Sequence, residues 1–284
     1  MKYSINTFLF TSPFTNDSIR LFPDFRRWGF DAVEIALENV TDIDPERIKN
    51  ALVENGLSCG SICAAMGRGR DLRGSINEQK AAIKYIESVI DIMPVLSCPI
   101  LAGPLYSSVG RADCVSDDDY KMQWSTVVGH LKALAAYAKN KGIKLAIEPL
   151  NRYETDFINT AEQGLKMIAD VGSDVLMLHL DSFHMNIEEK HPAEAIIKAG
   201  GKLGHFHACG SDRGTPGRDH TDWEKITAAL KQINYDGDIA IESFTTDVKV
   251  IAKAASIWRK LEPSQEEIAI KGLEFLKAIS YYYS

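Results

Sequence analysis

Hydrophobic and polar positions along the chain fall into two alternating kinds of run. Short apolar or alternating stretches occur at YSINTFLF (3–10), AVEIAL (32–37), LSCGSICA (57–64), PILAGPLY (99–106), KLAIEPLN (144–151), VLMLHLDSF (175–183), KLGHFHAC (202–209) and DIAIESF (238–244). Runs of this length and content read as buried strands. Between them lie amphipathic segments at helical spacing, among them DPERIKNALVENG (44–56), TVVGHLKALAAYAKNKG (126–142), HPAEAIIKAG (191–200) and DWEKITAALKQINYDG (222–237). Gly56 and Gly142 stand where a helix is commonly closed by a residue of left-handed conformation. Strands alternating with helices predict parallel βαβ units with right-handed crossovers. Eight such strands predict an α/β fold, a closed (β/α)8 TIM barrel. No glycine-rich dinucleotide turn follows the first strand, which argues against an open doubly wound sheet. The reading is a single barrel domain over 1–284, with the tail LEPSQEEIAIKGLEFLKAISYYYS closing the helical ring at about 264–280.

Composition narrows the function classes. Apolar residues make up 45% of the 284, enough for a large core. The net charge of −7 argues against nucleic acid as a partner, because phosphate binding needs a basic face. No run reaches the ~18 apolar residues of a membrane span. Cys59, Cys63, Cys98, Cys114 and Cys209 form no CxxC pair and are odd in number, which predicts reduced thiols. The N-terminus carries no leader-like cleavage site. The expected location is the cytoplasm.

The chemistry-bearing residues fall at the ends of the later strands. Strand five ends in Glu148, strand six in Asp181, strand seven in His207 and strand eight in Glu242. Barrel enzymes place their chemistry at the C-terminal ends of strands. Three carboxylates converging there repel one another unless a cation sits among them. Oxygen ligands with one imidazole suit a divalent ion of the Mn²⁺, Co²⁺ or Mg²⁺ type better than structural zinc. His179 and His205 each precede a ligand by two residues and so share its face. They are expected either to orient the ligands or to be hydrogen-bonded core residues. His130 and His191 read as surface residues, and Glu34 as a capping or pairing carboxylate.

Four stretches, IEPLNRYET, LDSFHMNIEE, GHFHACGSDRGTPG and IESF, closely resemble the ketose 3-epimerases of the D-tagatose and D-psicose (allulose) type, within the xylose isomerase-like barrels. The similarity spans essentially the whole chain and is densest from Glu148 to Phe244. It implies that Glu148, Asp181, His207 and Glu242 are the ligands of one divalent ion, Mn²⁺ first with Co²⁺ or Mg²⁺ as alternatives. It implies further that Glu148 and Glu242 are the catalytic acid/base pair. Glu154, His184 and Arg213 fall where the family holds the O1 to O3 region of a ketose. The implied assembly is a homodimer or homotetramer. Cys209-Gly210 stands where many members carry Gly-Glu, PGRD replaces a common PGxG run, and the CAAMGRGRDL loop differs too. These loops reach the distal end of the sugar.

Epimerising a ketose at C3 removes a proton beside a carbonyl and returns one on the other face. Two bases, one for each face, are wanted. Strands five and eight lie three apart in an eight-strand ring, so Glu148 and Glu242 can approach from opposite flanks. A sister reaction on the same scaffold, aldose–ketose or hydroxypyruvate-type isomerisation, uses the same metal set. Arg68 and Arg70 in the GRGR run raise a sugar-phosphate alternative. A sugar-binding protein without catalysis is a third reading, against which the intact pair of carboxylates argues.

Overall fold

The computed structural model describes residues 1–282; Tyr283 and Ser284 lie outside the described residues. The strands are β1 (Lys2–Asn6), β2 (Ala32–Leu37), β3 (Ser58–Ala64), β4 (Ile100–Gly103), β5 (Lys144–Ile147), β6 (Leu176–Asp181), β7 (Leu203–Ala208) and β8 (Asp238–Ile241). They pair in chain order and close, β8 returning to β1, with every pairing parallel. Parallel neighbours require crossovers, and helices supply them: α1 (Phe22–Trp28), α2 (Pro45–Glu54), α3 (Ile76–Leu96), α4 (Asp117–Asn140), α5 (Ala161–Val171), α6 (Ser182–Glu188), α7 (Pro192–Ala199), α8 (Trp223–Gln232), α9 (Lys249–Ala254) and α10 (Gln265–Tyr282). The expected (β/α)8 barrel is the fold found.

Local sequence sets the helix ends. Asp44, Ser75, Ser116 and Thr160 each accept a hydrogen bond from a backbone N–H in the first turn of the following helix. Ser75 and Thr160 complete capping boxes with Glu78 and Gln163. Helix α4 begins at Asp117, well before the apolar periodicity at 126 suggests, because Ser116 caps it and Asp117, Asp118 and Asp119 favour the positive end of its dipole. At the other end of the chain, Tyr281 and Tyr282 of α10 are exposed.

Two irregularities aim side chains into the barrel. The β2–β3 register slips between Val33 and Glu34, leaving Gly60 as the extra residue and setting Ser61 opposite Glu34. The β6–β7 register slips between Leu178 and His179, leaving Gly204 extra and setting His205 opposite His179. Such bulges commonly re-aim a side chain near a functional site. Gly204 is required by packing, since a Cβ there would meet the Met177 Cβ at 2.6 Å; one on Gly60 would meet the Asp238 Oδ2 at 2.0 Å, the end of a side chain that can turn away. Gly204→Ala is therefore expected to cost about 1–3 kcal/mol through overpacking. Denaturant unfolding of the variant checks this, and an unchanged midpoint would show that the strand can yield there.

Candidate active site

The four expected ligand groups meet at one mouth of the barrel. Glu148 follows β5 and is held by its backbone: its N–H donates to Gly103 O, and Tyr106 donates to its carbonyl at 2.8 Å. Asp181 both ends β6 and caps α6, its Oδ1 accepting from Phe183 N at 2.7 Å. This double role explains why an apolar strand ends in LDSFH. The strand stops on a carboxylate, and the first turn of α6 swings His184 back over the site. His207 lies near the end of β7, and Ser182 Oγ donates to Cys209 O and accepts from Cys209 N, tying α6 to the turn after that strand. Ligand-capable atoms of Glu148, Asp181 and His207 lie within 4.8 Å of one another. Glu242, just after β8, joins through His207, whose Nδ1 is 3.3 Å from Glu242 Oε2 and 3.8 Å from Asp181 Oδ2.

Arg213 supplies the positive charge in this cluster. It lies in the loop after β7 with a left-handed backbone (φ 68°). Its Nη1 donates to Asp181 Oδ2 at 2.7 Å and to Glu242 Oε2 at 3.1 Å, and contacts Cys209 Sγ at 3.6 Å. The guanidinium stacks on the rings of Phe183 and Phe244, at 4.0 and 4.8 Å from their centroids. Burial alone would raise the Asp181 pKa, but Arg213 overrides it and holds the carboxyl well below the usual range. Burial pushes Glu148 well above that range, and Glu242 and Asp181 push the same way against an opposing His207. Burial would lower His207, yet Glu34 and Glu242 hold it well above the ordinary imidazole value.

His184 and Glu154 belong to the same pocket. The N–H of Asn151 can only donate, so His184 Nδ1, 3.0 Å away, accepts, which leaves Nε2 as the ring's other polar atom. That Nε2 lies 3.7 Å from Glu148 Oε1 and 3.0 Å from Arg213 Nη2. Burial, then Arg213, lowers the pKa of His184 and keeps the ring neutral. Asn151 Nδ2 also donates to Glu154 Oε1 at 2.9 Å, bridging Glu154 to His184. Glu148, Glu154, His184, Arg213 and Glu242 line a cavity of ≈ 280 Å³ together with apolar residues that include Phe8, Met66, Val109, Leu150, Phe244 and Ile251. Asp181 and His207 are buried beneath it.

Sequence reasoning passed over Asn6 and Asn151, and read Glu34 only as a capping or pairing group and His179 as a ligand-orienting or hydrogen-bonded core residue. Glu34 is fully buried and sits 2.6 Å from both His205 Nε2 and His207 Nε2. Asn6 donates to Glu34 and to Glu242, at 2.7 and 3.1 Å. Asn151 is the bridge just described. His179 is buried with neither ring nitrogen hydrogen-bonded, its Nδ1 3.6 Å from Glu148 Oε2. The available signal was a carboxylate inside AVEIAL, a strand otherwise apolar and buried throughout. The GRGR run provides no phosphate cradle through Arg70. Its guanidinium donates to the Glu38 and Ala65 carbonyls and to Asn39, and lies over the Tyr85 ring. Among the described residues no helix is long and apolar enough to cross a membrane.

Comparison with known proteins adds to this geometry. A family model described as xylose isomerase-like TIM barrel matches residues 22–279. A probable ketose 3-epimerase of Synechocystis sp. is 34% identical over 98% of this chain and 96% of its own length. An L-ribulose 3-epimerase of Methylomonas sp. is 33% identical over 88% of this chain and 87% of its own. The crystal structure of a Methylomonas D-allulose 3-epimerase in complex with D-allulose superposes with a TM-score of 0.91 at 30% identity, covering 98% of this chain and 96% of that one.

Proposed function

The chain belongs to the ketose 3-epimerases of the xylose isomerase-like TIM barrel family, and from that premise we propose that it interconverts free ketoses at C3 with Glu148 and Glu242 as the acid/base pair. It is a carbohydrate epimerase. The observation that carries the mechanistic reading is that two glutamates, from the ends of β5 and β8, line one cavity beside the buried Asp181 and His207. One glutamate takes the C3 proton while the other, protonated, returns one to the opposite face, and the roles exchange with direction. The carbanion formed beside the carbonyl is stabilised as an enediolate, its negative charge delocalised onto O2. His184 Nε2 faces the substrate oxygens, and Arg213 offers charge-assisted donors beside it. Glu154 accepts from a hydroxyl at the same end of the pocket.

The residues suit a divalent cation. Glu148 Oε1 and His207 Nδ1 are buried without a hydrogen-bond partner, within a set of three carboxylates and one imidazole. We assign Glu148, Asp181, His207 and Glu242 as ligands of one ion, Mn²⁺ in preference to Co²⁺ or Mg²⁺. When bound, such an ion supplies Lewis-acid charge against the developing oxyanions.

Two measurements follow. Incubation of the Mn²⁺-supplemented protein with D-fructose, D-tagatose and L-ribulose is expected to yield their 3-epimers on carbohydrate chromatography, and aldose products in their place would overturn the reading. Mn²⁺ binding is also expected to release protons, because burial favours the protonated form of Glu148 and the ligand must be the carboxylate. Affinity therefore weakens as pH falls. Calorimetric titration in buffers of differing ionisation enthalpy reads the proton count, and zero release would contradict the role given to Glu148.

A further inference from the structure

Glu34 lies in the barrel interior, on β2, and each of its carboxylate oxygens is held from two sides. Oε1 accepts from Asn6 Nδ2 at 2.7 Å and meets His207 Nε2 at 2.6 Å. Oε2 accepts from Ser61 Oγ at 2.5 Å and meets His205 Nε2 at 2.6 Å. The partners come from β1, β3 and β7, and β7 stands across the barrel from β2. The glycine bulges at Gly60 and Gly204 deliver two of them: without the extra residue in β3 and β7, Ser61 and His205 would not stand opposite Glu34 and His179. A carboxylate has only acceptor sites, so the hydrogen bonds at Glu34 are donated by Asn6, Ser61 and His207, while His205 Nε2 lies close without making one. His207 thus gives its Nε2–H to Glu34. Its Nδ1 then faces Asp181 Oδ2 and Glu242 Oε2, at 3.8 and 3.3 Å. Asn6 extends the same hold to Glu242 Oε1 at 3.1 Å.

We propose that Glu34 is a positioning residue: it fixes the ring orientation and tautomer of His207 and, through Asn6, the carboxylate of Glu242, so that both present lone pairs to one cation. Glu34 itself does not line the cavity. A carboxylate behind a ligating imidazole raises its basicity and fixes its angle, and loss of such a partner costs about 10–100-fold in metal affinity. The inference rests on the reading that His207 and Glu242 hold the ion, and the experiment separates the two.

Mn²⁺ alone is the probe, with free ion read by electron paramagnetic resonance in wild type, E34Q, H207A and Y85F. Tyr85 is a control: its buried hydroxyl donates to Leu37 O and accepts from Ala65 N, so its loss removes buried hydrogen bonds away from the cluster. The expected result is near-complete loss of binding in H207A, affinity weakened about 10–100-fold in E34Q, and wild-type affinity in Y85F. At saturation the spectrum of the bound ion in E34Q should differ from wild type, a change that a purely structural role would not produce. Unaltered binding in H207A would overturn the ligand assignment and this proposal with it. Loss in H207A with wild-type binding in E34Q would overturn the proposal and leave the ligand assignment standing. Equal weakening in E34Q and Y85F would also overturn it, since affinity would then follow general stability. Should E34Q not fold, N6A carries the test by cutting the bridge to Glu242. Weaker Mn²⁺ binding than in Y85F supports the proposal, and equal binding overturns it.

Discussion

Glu148→Gln and Glu242→Gln are each expected to lower kcat by about 10²–10⁴-fold at saturating Mn²⁺, the range associated with loss of a positioned acid or base. Gln keeps the shape of the side chain but cannot exchange a proton with carbon. A reaction that must take a proton from one face and return it on the other has no use for one half of the pair. The double variant should therefore fall little further than either single one, because the two residues act as a unit. Bound Mn²⁺ has to be measured alongside, since both positions are also assigned as ligands. Loss of turnover with the ion still bound isolates the proton-transfer role. A Glu148→Gln protein that binds Mn²⁺ and retains a large part of wild-type kcat would remove Glu148 from the mechanism.

Arg213→Met is expected to lower stability by about 3–5 kcal/mol in metal-free protein, the usual cost of removing one partner from a buried ion pair. The guanidinium is buried and donates to both Asp181 and Glu242, and it is what holds Asp181 in its charged form against burial. Met preserves much of the apolar contact with Phe183 and Phe244, so the loss reads mainly as charge. Mn²⁺ should restore more of the melting temperature in the variant than it adds to wild type, because an ion among the same carboxylates supplies the missing positive charge. An unchanged melting temperature in the metal-free variant would mean that the carboxylates do not depend on Arg213.

The barrel was legible because its strands recur as short apolar runs with helices between, and the ligand set because strands five to eight each end on a metal-capable side chain. What stayed hidden has physical causes. VLMLHLDSF reads as one strand through Phe183, yet the backbone turns helical at Ser182, because Asp181 serves the strand and the cap together. The first turns of α4 are polar on every side and carry no periodicity, so its start was placed late. Glu34 read as a capping or pairing group because its partner His207 lies 173 residues away, and only barrel closure brings them together. Asn151 escaped notice for the opposite reason: it opens the conspicuous NRYET motif, but both its backbone N–H and its side-chain amide reach His184, 33 residues away, a pairing that no local pattern reveals.

The central claim is proton exchange at C3, and proton NMR in D₂O tests it most directly. The Mn²⁺-loaded protein is incubated in turn with D-fructose, D-tagatose and L-ribulose. The account predicts deuterium entering C3 as the 3-epimer accumulates, with no label at C1. Deuterium at C1 with an aldose appearing would contradict it and assign the chain to aldose–ketose isomerisation. No incorporation into any free ketose would contradict it as well.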